Sequence, residues 1–555
     1  MATLPNLLPM PRSIQMIEGT VAADAAVTEH LEPNHPSQGY RLNIGSAGIT
    51  LAASSDTGIF YARQTLAQLR QLYPHGIPAL HIEDFPDFPV RGVMLDISRD
   101  KVPSMQSLYH LIDTLAHWKI NQFQLYTEHT FAYRNHQVVW RDASPMTADE
   151  IRALDVYCRE RFIELVPNQN SFGHMDRWLK HAPYRHLAEC PDGFRFPWGA
   201  WHDAPFSLYP AEPGSLDLIR ELYAELLPNF SSRLFNIGCD ETFDLGQGRS
   251  KEAAEKVGST RLYLEFLKKV HALATGHGRT VMFWGDIILH QPQLIAELPR
   301  PIIALEWGYE ANSPFDRDGD LFAKAGIPFY VCPGTSSWCT IAGRTDNAMG
   351  NLASAAENGL KHGASGFLNT DWGDYGHLQY APISYLGFAA GAAYSWCFSS
   401  NRNLSLPRAL DTHAFHDGAG VMGQLAYDLG NVYQACGKLI GNSSALFRIL
   451  QNDQIEGLSI DGLQQSLAAI DTAMAPLARA QLGCPDARLI ADEFTNAAAM
   501  LRYACHRGIA LLGKRTLSAG DLPDIIAEHR RLWLTRNRLG GLSDSCARLE
   551  RMLPG

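Results

Sequence analysis

The chain lacks any run of about 18 apolar residues, the length at which a membrane-spanning helix is read. It also lacks a basic excess: 47 Lys and Arg stand against 58 Asp and Glu, a formal net charge of -11. Without surplus cations to neutralise phosphates, general nucleic-acid binding is excluded as an expectation. The ten Cys fall into no C-x-x-C pair and no zinc-type spacing. They are expected as reduced, mostly buried thiols, with no metal site. The N-terminal stretch has neither a basic region nor a long apolar segment, so no secretion signal is read and a cytoplasmic location is expected. No low-complexity segment is present. What remains, with 46% hydrophobic and 19% charged residues over 555 positions, is a globular chain long enough for several domains.

Three regions follow from periodicity. Residues 1–86 alternate as strands over 40–44 and 48–53. An amphipathic helix then begins at Ile59, with Phe60, Leu66 and Leu69 near helical spacing, which makes a small α+β domain. A Pro-rich extended link over 84–91 follows. From 87 to 400, short apolar runs alternate with helical stretches. Eight candidate strands begin at Gly92, Gln122, Glu164, Leu234, Thr280, Ile302, Pro328 and Gly366. Eight βα repeats in about 300 residues predict an α/β fold of the (β/α)8, or TIM-barrel, type. Thr147 and Glu150 have capping-box spacing at one helix start. Residues 401–555 carry 3.6-residue periodicity and predict a helical C-terminal region. These helices are expected to pack on the barrel or to mediate self-association into a homo-oligomer.

In such a barrel the residues after each strand converge on one pocket. The stretch from Leu234 to Phe243 is the centre of the pattern. It runs from a buried strand into Gly238, where the backbone can turn, and then into the adjacent acids Asp240 and Glu241. The other strand ends bring Arg99, Glu128, His174, Trp284, Trp307, Trp338, Trp372 and Asp374. Four Trp among carboxylates and one Arg suit a sugar, since indoles stack on its apolar faces and charged groups take its hydroxyls. A phosphate site would call for Gly-rich loops and more Lys or Arg.

Together these residues resemble glycoside hydrolase family 20, the β-N-acetylhexosaminidases. Arg91 to Arg99 resembles its first barrel strand, Gly173-His174 its motif after strand three, and Gly238 to Glu241 its Gly-Gly-Asp-Glu signature. Trp372 to Asp374 resembles its Trp-Gly-Glu. The pattern looks closest to the divergent, hexosaminidase-D-like branch. Cys239 stands where the family has Gly, Asn236 where it has His, and Asp374 where it has Glu. Glu128 is the nearest equivalent of a paired Asp, and the strand-seven Tyr has no clear counterpart, Trp338 lying near its place.

The resemblance implies exo-acting, retaining hydrolysis of terminal β-linked GlcNAc or GalNAc from a carbohydrate substrate, without a cofactor. The substrate's own 2-acetamido oxygen would attack the anomeric carbon and form an oxazolinium ion. Asp240 would orient the acetamido group, Glu241 would serve as acid and then base, and Arg99 and Asp374 would hold outer hydroxyls. The four Trp would wall the pocket, and His174 with Glu128 would form a relay behind Glu241. Two other readings stay open: an amino-sugar-binding protein without catalysis, and a barrel glycosidase with its own carboxylate nucleophile, for which Glu306 or Asp371 would be candidates.

Overall fold

The computed structural model describes residues 4–515 and 520–553. The N-terminal unit is a five-stranded sheet of β1 (Ser13–Val21), β2 (Val27–Leu31), β3 (Tyr40–Gly45), β4 (Gly48–Ala53) and β5 (Ile77–Asp84), in the order β1-β5-β3-β4-β2. Helix α1 (Asp56–Leu72) covers one face. Ser55 caps it by accepting from the Gly58 N–H, and Leu66 and Leu69 are buried against the sheet. Phe60 turns the other way: its ring lies 5.0 Å from that of Phe162 on the barrel. The two units also share a buried polar knot. Asp84, at the end of β5, accepts from Tyr40 Oη at 2.7 Å and from Trp396 Nε1 at 2.9 Å, and lies 3.3 Å from Lys119 Nζ. A carboxylate out of water needs this many partners.

The barrel strands are β6 (Val90–Asp96), β7 (Gln122–Tyr126), β8 (Glu164–Val166), β11 (Leu234–Asn236), β12 (Thr280–Trp284), β13 (Ile302–Trp307), β14 (Phe329–Cys332) and β15 (Gly366–Asp371). All eight are parallel and run in the order β11-β12-β13-β14-β15-β6-β7-β8. The ring closes between β8 and β11, where Asn168 bridges to Asn236. The expected barrel is therefore present, with every predicted strand in place. Their near-continuous apolar runs reflect burial on both faces. Between β8 and β11 the chain makes a two-stranded excursion, β9 (Phe194–Arg195) and β10 (Trp201–His202). The capping box forms as its spacing predicts, with Thr147 and Glu150 bonding reciprocally.

Beyond the barrel helix Ala381–Trp396 the chain is mostly helical, with long members at Ala487–Leu512 and Leu522–Arg536. One short hairpin interrupts the helices, β16 (Leu439–Ile440) and β17 (Ser443–Ser444). Two-residue arms are too short to give a periodic signal. The helices pack on the barrel of the same chain: the Arg536 carbonyl accepts from the Ser104 N–H at 2.9 Å, and Arg538 N–H donates to the Val102 carbonyl at 2.8 Å. The loop just beyond Arg99 is thus held by the C-terminal region. All ten Cys are buried and unpaired. Among the described residues, no helix is long and apolar enough to cross a membrane.

Candidate active site

The loops after the barrel strands surround a cavity of about 600 Å³. Its floor is set by the turn after β11. Gly238, Cys239 and Glu241 all take positive φ, at 68°, 69° and 49°. Three such residues within four positions reverse the alternation of a strand and let neighbouring side chains serve one pocket. Gly238 is required there, since a Cβ would lie 2.4 Å from Asn170 Oδ1. The same amide oxygen accepts from Cys239 N–H at 3.0 Å, and Asp286 Oδ2 accepts from Glu241 N–H at 3.0 Å. Gly173 allows a second close approach, its missing Cβ falling 2.3 Å from the Asp240 carbonyl oxygen.

Asp240 is buried. Its Oδ1 accepts from Asn170 Nδ2 at 2.9 Å, and its Oδ2 lies 3.2 Å from His174 Nε2. Burial pushes its pKa up, but His174, Asn170 and Arg99 outweigh that and hold it below the usual value. Asp240 is therefore an ionised carboxylate facing the cavity. Glu241, with its side chain 32% exposed, opens more widely to the cavity, and its Oε2 lies 3.3 Å from the same imidazole nitrogen. His174 thus sits between the two acids. Arg99 Nη2 lies 3.2 Å from His174 Nδ1, while Nε2 faces the two carboxylates. Burial and Arg99 lower the pKa of His174, and Asp240 with Glu241 raises it well above the ordinary imidazole value.

Arg99 is the other fixed charge. It lies 3.3 Å from Asp96, 3.2 Å from Glu128 and 3.7 Å from Asp374, with its guanidinium over the rings of Tyr126 and Trp372. Glu128 stands behind Arg99 and does not line the cavity. Burial, partly offset by Arg99, pushes its pKa up to about 7. His174 Nδ1 lies 4.0 Å from Glu128, so the expected relay is broken by the intervening guanidinium.

Trp284, Trp307 and Trp372 line the cavity as expected; Trp338 does not. Trp338 is 1% exposed and meets Tyr309 edge-on at 5.0 Å, so it backs the wall. The wall position belongs to Tyr309, which the sequence reading missed. It lines the cavity, its ring stacks on Trp307 at 5.1 Å, and its hydroxyl accepts from Trp372 Nε1 at 2.8 Å. Trp284 Nε1 is buried with no partner, a second donor in the wall. The excursion after β8 adds Phe196 and Trp198, stacked at 4.4 Å and flanked by Phe243. Gly441, Asn442 and Arg448 of the C-terminal region complete the rim.

The two alternative nucleophiles lie elsewhere. Glu306 is buried among Asp318 and Arg317, outside the cavity, and burial pushes its pKa well above the usual value. Asp371 accepts from Thr335, Ser337 and Ser384 hydroxyls and also does not line the cavity. The carboxylates on the wall are Asp240, Glu241 and Asp374.

Comparison with known proteins gives one answer. Sequence profiles described as "Glycosyl hydrolase family 20, catalytic domain" and "Glycosyl hydrolase family 20, domain 2" match residues 88–338 and 13–85. A beta-hexosaminidase of Porphyromonas gingivalis is 28% identical over 286 residues, covering 45% of this chain and 36% of that protein. A beta-hexosaminidase of Akkermansia muciniphila is 25% identical over 323 residues, covering 52% of this chain and 64% of that one. The match thus spans less than two thirds of either relative. The solved exo beta-N-acetylglucosaminidase of Vibrio harveyi superposes with a TM-score of 0.61 at 18% identity, over 74% of this chain and 76% of that one.

Proposed function

The chain belongs to glycosyl hydrolase family 20, and from that membership and the cavity's geometry we propose that it is an exo-acting, retaining β-N-acetylhexosaminidase working by substrate assistance. The observation that carries this reading is the unequal pair Asp240 and Glu241. One carboxylate is buried and held ionised; the other opens to the cavity. Separated environments are how two neighbouring acids take two roles.

The terminal sugar sits against Trp284, Trp307 and Trp372, with Arg99 and Asp374 on its outer hydroxyls. Asp240 accepts the acetamido N–H and stabilises the positive charge that grows on that nitrogen. Tyr309 donates its hydroxyl proton to the acetamido oxygen and holds it for attack on the anomeric carbon. As that bond forms, the bond to the leaving oxygen breaks, and Glu241 supplies the leaving group's proton. Water then attacks the anomeric carbon of the oxazolinium ion and gives its proton to Glu241, which restores the acetamido group and the original anomeric configuration. His174, shared by both carboxylates, orients them. Phe196, Trp198 and Phe243 offer the leaving group an aromatic platform. Asp374, the third carboxylate on the wall, lies 3.7 Å from Arg99 Nε and in this scheme serves the outer hydroxyls rather than the anomeric carbon.

The test is p-nitrophenol release from the β-GlcNAc, β-GalNAc and β-glucose aryl glycosides, with a thiazoline mimic of the oxazolinium ion as inhibitor. Cleavage of the acetamido sugars alone, blocked by the thiazoline, is expected. Comparable cleavage of the glucoside refutes the reading.

A further inference from the structure

The two acids of the pair are held in different ways. Asp240 is fixed through its side chain, by Asn170 and His174. Among the described residues, the Glu241 carboxylate has His174 as its one close partner, at 3.3 Å, and its side chain is 32% exposed. A side chain this free takes its aim from its backbone.

That backbone sits in the left-handed region, at a φ of 49°. A non-glycine residue stays there only where its surroundings hold it. Two contacts do so. The Glu241 carbonyl accepts from Phe243 N–H at 2.6 Å, within the turn itself. The Glu241 N–H donates to Asp286 Oδ2 at 3.0 Å, across to the end of the next barrel strand.

Asp286 stands on firm ground. It follows Trp284 and Gly285 at the end of β12 and opens the short helix Asp286–Leu289. Trp284 N–H donates to the Gly238 carbonyl at 3.0 Å, and Gly285 N–H to the Leu305 carbonyl at 2.9 Å, so both neighbouring strands brace the point. A Cβ at Gly285 would meet Phe322 at 2.9 Å, which leaves the loop no slack.

The carboxyl does not line the cavity. Its Oδ1 is buried with no hydrogen-bond partner among the described residues. An unsatisfied buried oxygen is costly and calls for a reason. The titratable groups around it are Asp240 and Glu241 on the turn, Cys239 beside them, and Tyr263 on the helix Ser259–Gly276. Burial first, then Asp240, pushes its pKa up to about 8, against the Glu241 N–H and the Trp307 indole, which pull it down. At neutral pH it is therefore mainly an uncharged acceptor, close to an amide in shape, and it sets no third negative charge beside the acid pair.

We propose that Asp286 is the positioning residue of the general acid: its carboxyl oxygen holds the Glu241 peptide in the left-handed turn and so sets where the Glu241 proton meets the leaving oxygen. Asp286 touches neither the sugar nor the reacting atoms and acts through Glu241. The inference rests on the hydrolase reading above and adds the residue that aims its acid.

The experiment measures kcat/KM on p-nitrophenyl and p-methoxyphenyl β-GlcNAc, whose leaving groups need little and much protonation. The variants are Asp286→Ala and Asp286→Asn, each with Glu241 intact and with Glu241→Gln. Asp286→Ala should lose about 100-fold on the p-methoxyphenyl glycoside and about tenfold or less on the p-nitrophenyl one, the mark of a weakened acid. Asp286→Asn, whose amide oxygen can take the same N–H, should recover at least about tenfold of the larger loss. In the Glu241→Gln background Asp286→Ala should cost no more than about threefold, since the group it aims no longer carries the proton. Thiazoline affinity reads the sugar pocket and Asp240; it should stay within about threefold of wild type and shows that the variant is folded. Where Asp286→Ala does not fold, Asp286→Leu, which fills the space without an acceptor, takes its place with the same expectations. Equal losses on the two leaving groups, or the same loss with and without Glu241, overturn this inference and leave the hydrolase reading standing. A wild type that cleaves neither glycoside overturns the hydrolase reading and this inference with it.

Discussion

Replacing Asp240 by Asn is the sharpest probe of the acid pair, because it changes charge while keeping shape. The carboxylate is buried, ionised, and bonded at 2.9 Å to Asn170 Nδ2. An amide oxygen can keep that bond, so the turn after β11 stays in place. What is lost is a fixed negative charge beside the acetamido nitrogen, in a site largely shielded from water. Removing one such preorganised group costs about 2.7–4 kcal/mol of transition-state stabilisation, or about 10²–10³ in kcat. The ground-state sugar carries no charge on that nitrogen, so KM should change far less than kcat. The thiazoline, which carries the charge when protonated, should lose affinity by a similar factor. His174 provides an internal control: without Asp240 its pKa should fall, since Asp240 is first among the groups that raise it. Steady-state kinetics on p-nitrophenyl β-GlcNAc, inhibitor titration and the imidazole NMR shift measure the three. A kcat within threefold of wild type, with the His174 shift seen, would refute the orienting role while showing that the substitution reached the site.

Glu241→Gln should cost most on substrates with poor leaving groups and least on activated aryl glycosides, which kinetics on a leaving-group series reads directly. Tyr309→Phe keeps the stacking on Trp307 but removes the hydroxyl; kcat should drop about 10- to 100-fold, in line with a lost donor, and the melting temperature should fall as well, since Trp372 Nε1 loses its acceptor. Gly238→Ala should destabilise by about 1–3 kcal/mol, as a Cβ meets Asn170 Oδ1 at 2.4 Å at a positive φ; equal urea midpoints for mutant and wild type would contradict the reading of that turn. Asp286 is driven up to about 8 by burial, then by Asp240. Its folded pKa is raised, so its contribution to stability is full below the ordinary carboxylate range and is lost as pH rises through about 8. Wild type minus Asp286→Asn stability should therefore fall between about pH 4 and pH 8, with a slope of up to about 1.4 kcal/mol per pH unit, measurable by denaturant unfolding.

The barrel was legible because its strands are short apolar runs bounded by turn residues, a pattern burial on both faces imposes. Its strand ends were legible for the same reason: once β11 was read, Asp240 and Glu241 had to stand at a carboxyl end. Tyr309 was missed because it lies two residues past Trp307, on a loop whose path only the fold determines. The Phe196–Trp198 platform belongs to an excursion with two-residue strands and no periodicity. Arg448 is separated from the barrel by a helical region, and its arrival at the rim depends on the pinning of Asn442 by Glu310, a contact 132 positions apart in sequence. Trp338 was misjudged in the opposite direction, since a Trp near a strand end can back a wall as readily as form it. Sequence pattern tells which elements exist; long-range packing decides which of their side chains reach the cavity.

The most direct measurement concerns the nucleophile. Aryl N-acetyl-β-glucosaminides carrying one, two and three fluorines on the acetyl methyl have progressively weaker carbonyl oxygens and nearly unchanged size. Their kcat/KM values should fall steeply with each fluorine if the acetamido oxygen attacks the anomeric carbon. A flat series would mean that an enzyme carboxylate attacks instead, and would contradict the division of roles between Asp240 and Glu241.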